Sequence, residues 1–492
     1  MLDHADTVRR EVAPHINQKR KSALGQFMTP ASVARFMAAL FPVPAKTLQT
    51  CRLLDPGAGV GALSCAFLDR VTAGGMRFKK IEATAYEIDA ALRAHLEKGL
   101  ASYAEKLPLQ SRVIAGDFIP LAVHESLQDL GGYTHAIMNP PYKKINTGSE
   151  HRLALRRVGI ETVNLYSAFV GLAVALLAPG GQLVAIIPRS FCNGPYYRPF
   201  RDFVLQRAAI RHMHLFDSRS KAFKDDDVLQ ENVIIMLERG AKQGEVTITT
   251  STDDTFADLQ TYKHPFNRIV FPDDTERFIH VPTSLERTAV DSAPAINCTL
   301  EDLGIKVSTG PVVDFRLREH IRSMPEAGTV PLLYPGHFNG HATEWPQATM
   351  KKPNAIKRNA ETEKWFYPNG SYCVVRRFSS KEERRRIVAS VVDPDIFPGV
   401  EVLGFENHLN VFHERKRGLP VALAHGLAVF LNTTAVDEQF RRFNGHTQVN
   451  ATDLKLMKYP SRAALVTFGK WAMQRKVLTQ EMIDEQLKKL TA

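Results

Sequence analysis

Between about residues 31 and 240 the chain alternates short apolar runs with helical patterns, and this rhythm limits the fold more than any other feature. Residues 51–55, 81–87, 112–117, 134–138, 182–187, 210–216 and 232–237 read as strands. Residues 61–71, 90–104, 165–177 and 200–207 read as helices. Strands that alternate with helices predict an α/β, Rossmann-like fold, with a mainly parallel sheet covered on both faces. Such sheets place their ligands at the carboxyl ends of the strands.

One strand end is chemically distinctive. The run His135-Ala-Ile-Met-Asn-Pro-Pro-Tyr142 reads as a buried strand that stops at a rigid turn. Pro140 and Pro141 fix φ and remove two amide donors. Asn139 and Tyr142 are thereby held at the end of the strand. The Asn139 side-chain oxygen and the Pro140 carbonyl, aimed at one point, make an acceptor pair for a planar NH₂ group. Tyr142 offers a face to an aromatic ring. The set suits an enzyme that methylates an exocyclic amine.

Three other strand ends outline a nucleoside-shaped site. Asp55-Pro56 leads into Gly57, Gly59 and Gly61, which allow a tight turn and close approach of a ligand to the backbone. Such a turn alone fits any Rossmann-like protein. The preceding acid favours a ligand carrying positive charge over a pyrophosphate. Glu87 ends the next strand, where an acid bonds both hydroxyls of a ribose. Asp117 and Phe118 end the third, where a carboxylate accepts from an adenine amine and an aromatic packs on its ring.

Composition narrows the classes. The chain has 492 residues, enough for two or three domains with full cores. It carries 63 basic and 52 acidic side chains, net +11, a balance that favours polyanion partners or is merely solvated surface. Five cysteines without a C-x-x-C pair argue against a zinc module or a disulfide framework and fit a reducing cytoplasm. No signal peptide or membrane-spanning stretch is expected, and the chemistry requires no metal or general-base histidine.

The order Gly25-Gln-Phe-Met-Thr-Pro30, Asp55-Pro-Gly-Ala-Gly-Val-Gly61, Glu87-Ile-Asp89, Gly116-Asp-Phe118, Asn139-Pro-Pro-Tyr142 resembles the γ-class, TaqI-like amino-methyltransferases of DNA. The match covers most of residues 23–240. It implies a class I methyltransferase domain that uses S-adenosylmethionine and methylates the N6 amine of adenine in double-stranded DNA. It also implies that Phe27 and Thr29 flank the methionine part of the cofactor, that Glu87 holds its ribose, and that Asp117 and Phe118 hold its adenine. Asp55, Pro56 and the three glycines are expected to complete the cofactor site. The loop at 222–232 resembles the one that carries a second base-stacking aromatic, here Phe223. The turn here is richer in glycine than in some TaqI-like members.

The implied mechanism is orientation plus preorganised electrostatics. An adenine amine is a poor nucleophile because its lone pair is delocalised into the ring. Acceptors at Asn139 and Pro140 favour a tetrahedral nitrogen whose lone pair can point at the methyl donor. The base must leave the duplex, at a cost of a few kcal/mol, offset in part by stacking on Tyr142 and Phe223 at roughly 1–3 kcal/mol per base. The same turn also occurs in enzymes that methylate protein glutamine amides and in some RNA guanine methyltransferases. N4-cytosine methylation and a non-catalytic DNA-binding subunit are further alternatives.

The expected division is a catalytic domain over residues 1–285, with a connector from about 241 that contains short strands at 246–250 and 268–271, and an α+β target-recognition domain over 286–492. Residues 307–316 and 443–454 resemble type II enzymes of the BsuBI/PstI group, which would suggest a palindromic site such as CTGCAG. Residues 479–490 read as an amphipathic helix with Thr479 as N-cap. Lys143 and Lys144 follow the catalytic turn and are expected at phosphates. Within residues 351–400, basic side chains outnumber acidic ones 11 to 6. Lys351, Lys352, Lys357, Arg358, Arg376 and Arg377 could track a DNA backbone; Arg384-Arg-Arg386, in an expected helix with Glu382 and Glu383, reads equally as a DNA contact or as a charged exposed face. Arg316, Asn407, His446 and Gln448 are unranked candidates for base readout. The expected partner is duplex DNA, with a cognate restriction endonuclease acting separately. The expected state is a monomer or weak dimer in the cytoplasm, associated with the nucleoid.

Overall fold

Strands whose alternate residues are apolar on both sides build the first of two units, Met1–Leu285 and Glu286–Ala492. The computed structural model describes residues 2–12, 28–43, 48–217, 231–284, 293–340, 342–380, 382–444 and 447–491. The strands of the first unit are β1 (Leu48–Pro56), β2 (Phe78–Glu87), β3 (Leu109–Ala115), β4 (Tyr133–Met138), β5 (Leu177–Pro188), β6 (Ala208–Phe216), β7 (Asn232–Arg239), β8 (Glu245–Ser251) and β9 (Gln260–Pro265). They form one sheet in the order β3-β2-β1-β4-β5-β7-β6-β8-β9. From β3 to β5 every pairing is parallel. β7 runs antiparallel between β5 and β6.

The helices are α1 (Leu2–Val12), α2 (Ala31–Ala39), α3 (Ala62–Thr72), α4 (Ala90–Ala104), α5 (Phe118–Leu127), α6 (Glu150–Arg157), α7 (Leu165–Leu176) and α8 (Arg198–Arg207). They cover both faces of the sheet, and strand pleating divides the core between those faces. Leu53, Ile137, Val184 and Ile186 join the side chains of α2, α3 and α4. Their neighbours Leu54, Ala136, Met138, Leu183, Ala185 and Ile187 join those of α5, α7 and α8.

Three expectations need correction here. The expected connector from 241 is part of the sheet: β8 lies parallel on β6 and β9 returns antiparallel beside it. Val246 and Ile248 are fully buried in the same core as α7, which is why the sheet extends this far. Residues 268–271 form no strand. The amides of Ile269 and Val270 bond the Phe266 carbonyl at 2.8 and 2.9 Å, and both side chains plug the core from a turn. The third strand stops at Ala115, and Asp117 caps α5 instead of ending a strand.

Among its described residues the second unit holds a four-stranded sheet, a five-stranded sheet, two two-stranded pairs and five α-helices. Lys306–Thr309, Leu409–His413, Tyr372–Arg376 and Ala389–Val392 form an antiparallel sheet in that order. Ile321–Arg322, Ala355–Lys357, Thr329–Leu333, Val402–Phe405 and Tyr367–Pro368 form the five-stranded sheet. The helices are α9 (Val421–Leu431), α10 (Thr434–Phe443), α11 (Ala451–Leu456), α12 (Arg462–Met473) and α13 (Gln480–Thr491). Thr479 Oγ accepts from the Met482 amide at 3.3 Å, at the start of α13. The expected helix at 384–386 is absent. Asp437 Oδ1 takes the amides of Arg386 and Ile387 at 2.7 and 2.9 Å, donors a helix would need for itself. Arg386 is buried and donates to Asn444 Oδ1 at 2.8 Å. Among the described residues no helix is long and apolar enough to cross a membrane.

α9 and α12 cross at glycine. A Cβ on Gly426 would lie 1.8 Å from the Leu465 carbonyl oxygen, and one on Gly469 would lie 1.6 Å from that of Ala422. Neither clash can be relieved by turning a side chain, because both partners are backbone. Gly469→Ala is expected to destabilise the second unit by about 3 kcal/mol or more. Chemical denaturation followed by tryptophan fluorescence should show this as a lower midpoint, because Trp345, Trp365 and Trp471 all lie in the second unit.

Candidate functional site

The carboxyl ends of β1, β2 and β4 and the start of α5 border a cavity of about 370 Å³, within the range of small-molecule sites. Gly57 and Gly59 supply one wall in the left-handed region, at φ 76° and 58°, where a side chain would be strained. The amides of Gly57 and Ala58 bond the Tyr86 carbonyl at 2.8 and 3.0 Å, which ties the turn to β2.

Glu87 is nearly fully buried at the end of β2. Its carboxylate accepts from the Gly59 amide at 2.8 Å and the Asp89 amide at 2.7 Å. Burial raises its pKa and those two bonds oppose the rise. Two amides fix the side chain, and a carboxylate offers about four acceptor positions, so sites remain for ligand hydroxyls.

Asp117 stands between the cavity and a neighbour that the sequence reading missed. One oxygen caps α5 through the Ile119 amide at 3.0 Å, and the other meets His151 Nε2 at 2.6 Å. His151 lies in the first turn of α6 and lines the same cavity. No sequence spacing pointed to it. Phe118 packs edge-on to Tyr86 and tilted against Phe169, with centroids 5.0 and 4.9 Å away. Met28, Ile88 and Phe169 also line the cavity, beside Thr29. Met28 and Ile88 lie inside the sequence motifs 25–30 and 87–89 without having been named as site residues, and Phe169 had only its place in the helix expected at 165–177.

The turn at Asn139-Pro140-Pro141-Tyr142 is braced on three sides. Asn139 Nδ2 donates to Thr29 Oγ at 3.1 Å. The Tyr142 hydroxyl donates to Asn139 Oδ1 at 3.0 Å and reaches the Ile186 carbonyl of β5 at 3.2 Å. Tyr142 is half-buried and meets Tyr166 edge-on at 6.2 Å. Pro140 is buried, while Asn139, Pro141, Lys143 and Lys144 line the cavity, both lysines exposed.

Asp55, Pro56 and Gly61 were expected at the cofactor but are absent from the cavity wall. Asp55 lies beneath it, accepting from Ser64 Oγ at 2.6 Å, and its other oxygen is buried without a hydrogen-bond partner among the described residues. A Cβ on Gly61 would sit 2.7 Å from Leu96 Cδ1, so this glycine makes room for α4. Phe27 and Phe223 lie outside the described residues. In the second unit Lys351 is exposed, whereas Lys352 pairs with Asp314 at 2.9 Å. Arg358 pairs with Glu363 and Glu401, and Arg376 with Glu383, so these cations are partly spent within the unit. Among the described residues no group of three or more His, Cys, Asp or Glu side chains is placed to hold a metal.

Comparison with known proteins gives a consistent picture. Residues 75–223 match the family model described as Eco57I restriction-modification methylase. The chain is 51% identical over 498 residues to the type II methyltransferase M.BsuBI of Bacillus subtilis, covering all of this chain and 98% of the relative. It is 42% identical to the type II methyltransferase M.PstI of Providencia stuartii, covering 98% of this chain and 96% of the relative. Among solved structures, the DrdV–DNA complex shares the fold at a TM-score of 0.54 and 12% identity, over 96% of this chain and 59% of that one.

Burial pushes the Asp55 pKa up from 3.8 to about 7, against the Ser64 hydrogen bonds and with a contribution from Glu87. An acid raised by folding stabilises the fold below its unfolded pKa, and that contribution is lost as pH rises through the folded value. Asp55→Asn is neutral throughout. Its stability relative to the parent protein should therefore rise from about pH 4 to about pH 7, by roughly 2–4 kcal/mol at the plateau. Thermal melts across that range, without ligand, check the sign. A difference that does not change with pH would refute it.

Proposed function

The chain belongs to the type II methyltransferase family that includes M.BsuBI and M.PstI, and from that footing we propose a specific reaction. The enzyme transfers a methyl group from S-adenosylmethionine to the N6 amine of a flipped-out adenine in duplex DNA. It would serve as the modification enzyme of a restriction-modification system whose endonuclease acts separately. One observation carries this reading. The turn Asn139-Pro140-Pro141-Tyr142, with its amide and ring fixed by hydrogen bonds, borders the same cavity as Glu87 and Asp117.

The residues fit the cofactor on their own chemistry. Glu87 would hold the ribose, because its carboxylate is preset by the Gly59 and Asp89 amides. Asp117, Phe118 and Ile88 would hold the adenine, and Thr29 with Met28 would flank the methionine part. Gly57 and Gly59 let the backbone approach closely. When bound, the cofactor's sulfonium supplies an activated methyl group. Buried carboxylates that lean towards the neutral form, at Asp55 and Glu87, are stabilised in their charged form by a cationic ligand nearby.

The chain's own part in the reaction is placement. Asn139 Oδ1 and the Pro140 carbonyl would accept the two amine hydrogens and turn the nitrogen lone pair into the cavity. Thr29, accepting from Asn139 Nδ2, braces the plane of the amide on the side away from its oxygen. Tyr142 would stack on the extruded base, and Phe223 is proposed for its other face. Lys143 and Lys144 would meet phosphates beside the extruded nucleotide, and Lys351 and Lys352 would meet the backbone further along. Residues 1–285 would supply catalysis and 286–492 target recognition.

Asn139→Ala should lower methyl incorporation into DNA at least 100-fold, on the order lost with one oriented polar group. Its affinity for S-adenosylmethionine should stay within a few-fold. Glu87→Ala should do the reverse, weakening cofactor binding roughly 10-fold or more through loss of charge-assisted bonds. Calorimetry reads the binding and tritium transfer the turnover. Near-normal turnover in Asn139→Ala would sink the mechanism. Sequencing of methylated DNA from expressing cells reads the base directly, and N4-methylcytosine there would overturn the adenine assignment.

A further inference from the structure

One end of the four-stranded sheet in the second unit gathers side chains that are far apart in sequence. Arg376 pairs with Leu409 across two antiparallel strands, so Arg377-Phe378 and Asn407-His408 emerge at the same end. The Arg377 amide bonds the His408 carbonyl at 2.8 Å. Gln448 joins them through a bridge to Phe378, and the Val449 amide bonds the Arg377 carbonyl at 2.7 Å. The loop after strand Lys306–Thr309 arrives beside them, with the Asn407 amide on the Val312 carbonyl at 2.9 Å.

The cluster is a built site. Glu406 is fully buried, and among the described residues its carboxylate serves the half-exposed His408. It accepts from the His408 amide at 2.9 Å and from His408 Nδ1 at 2.6 Å. The ring is also held against Phe378, with centroids 4.7 Å apart. Burying a carboxylate costs several kcal/mol, so a pair that merely decorated a surface would be a poor use of one. Held at Nδ1, the imidazole keeps its Nε2 edge for an outside partner. Arg377 braces the platform, donating to the Asn407 carbonyl at 3.2 Å and reaching Gln448 Oε1 at 3.4 Å. Two aromatics stand in the open here, Phe315 at 60% exposure and Phe378 at 39%, each with an arginine over its ring.

Amide and imidazole edges beside exposed aromatic rings, with basic side chains around them, match the chemistry of base edges: hydrogen-bonding groups next to thymine methyls, framed by phosphates. The geometry points to this sheet end as the surface that reads bases in the substrate duplex. His408 and Gln448 act on base edges, Phe378 on an apolar base face, and Arg316 on phosphate. Glu406 and Arg377 are positioning residues. The inference rests on the proposed DNA methylation and adds which side chains choose the site.

The test uses the full-length enzyme on a random-sequence duplex library, with methylated positions read by sequencing. His408→Ala and Gln448→Ala should each extend methylation to sequences that differ from the parent site at one position. Discrimination there should fall roughly 10- to 100-fold, the worth of one good base contact. Glu406→Gln should relax the same position as His408→Ala, which a purely structural role would not do. Arg316→Ala should weaken all sequences alike and flatten the salt dependence. Variants that keep the parent set of sites with unchanged relative preference, at full or uniformly lowered rate, overturn the inference. Failure of the parent enzyme to methylate any duplex overturns the proposed function instead, so the two failures are distinct.

Discussion

Parallel pairing of β3, β2, β1 and β4 is the constraint on which everything else in the first unit rests. Parallel neighbours bring like ends together. Glu87, the turn after Pro56, the Asp117 cap and Asn139 therefore meet at one edge of the sheet, though they span more than eighty residues of chain. β1, β2 and β4 are anchored by side chains buried on both faces, and a slip of one residue would exchange the two faces. The wall of the cavity is thus placed by the core, not by local preference.

Hydrogen bonding then converts position into orientation. Asn139 could turn its amide either way at little cost in the open. Thr29 on one side and the Tyr142 hydroxyl on the other hold the plane of the amide, with Nδ2 towards Thr29 and Oδ1 towards Tyr142. Tyr142 is itself tied to β5 through the Ile186 carbonyl. A net hydrogen bond contributes only about 1 kcal/mol to stability, so this chain of bonds matters more for placement than for folding. The acids beneath the cavity work in the opposite sense. Asp55 and Glu87 lie in surroundings that disfavour their charge, an unfavourable term that a cationic ligand would relieve.

The second unit solves a different problem. Its strands are short, from two to five residues. Helix α9 therefore packs closely on α12 through Gly426 and Gly469. Residues 443–454 are tied in by polar side chains: Asn410 of the strand Leu409–His413 donates to the Val449 carbonyl, and Asn444 donates to the Gln448 carbonyl and to Asp453.

Features set by neighbouring residues were legible in the sequence. The β/α rhythm shows because burial imposes a period on adjacent side chains. The glycine turn shows because Gly57 and Gly59 occupy backbone conformations that other residues rarely adopt. The prolines at 140 and 141 announce their turn because they act on their own φ. What tertiary structure alone decided involves partners distant in the chain. Helix α5 was hidden because Pro120 reads as a breaker, though it is tolerated in a first turn beneath the Asp117 cap. Gly61 looked like part of the ligand turn until Leu96 was found against it. Arg386 looked solvated until Asp437 and Asn444 were found around its segment. His151 and the joining of Arg377 with Gln448 left no local trace. Such contacts depend on how whole elements pack, and a residue's neighbours in sequence carry no record of that.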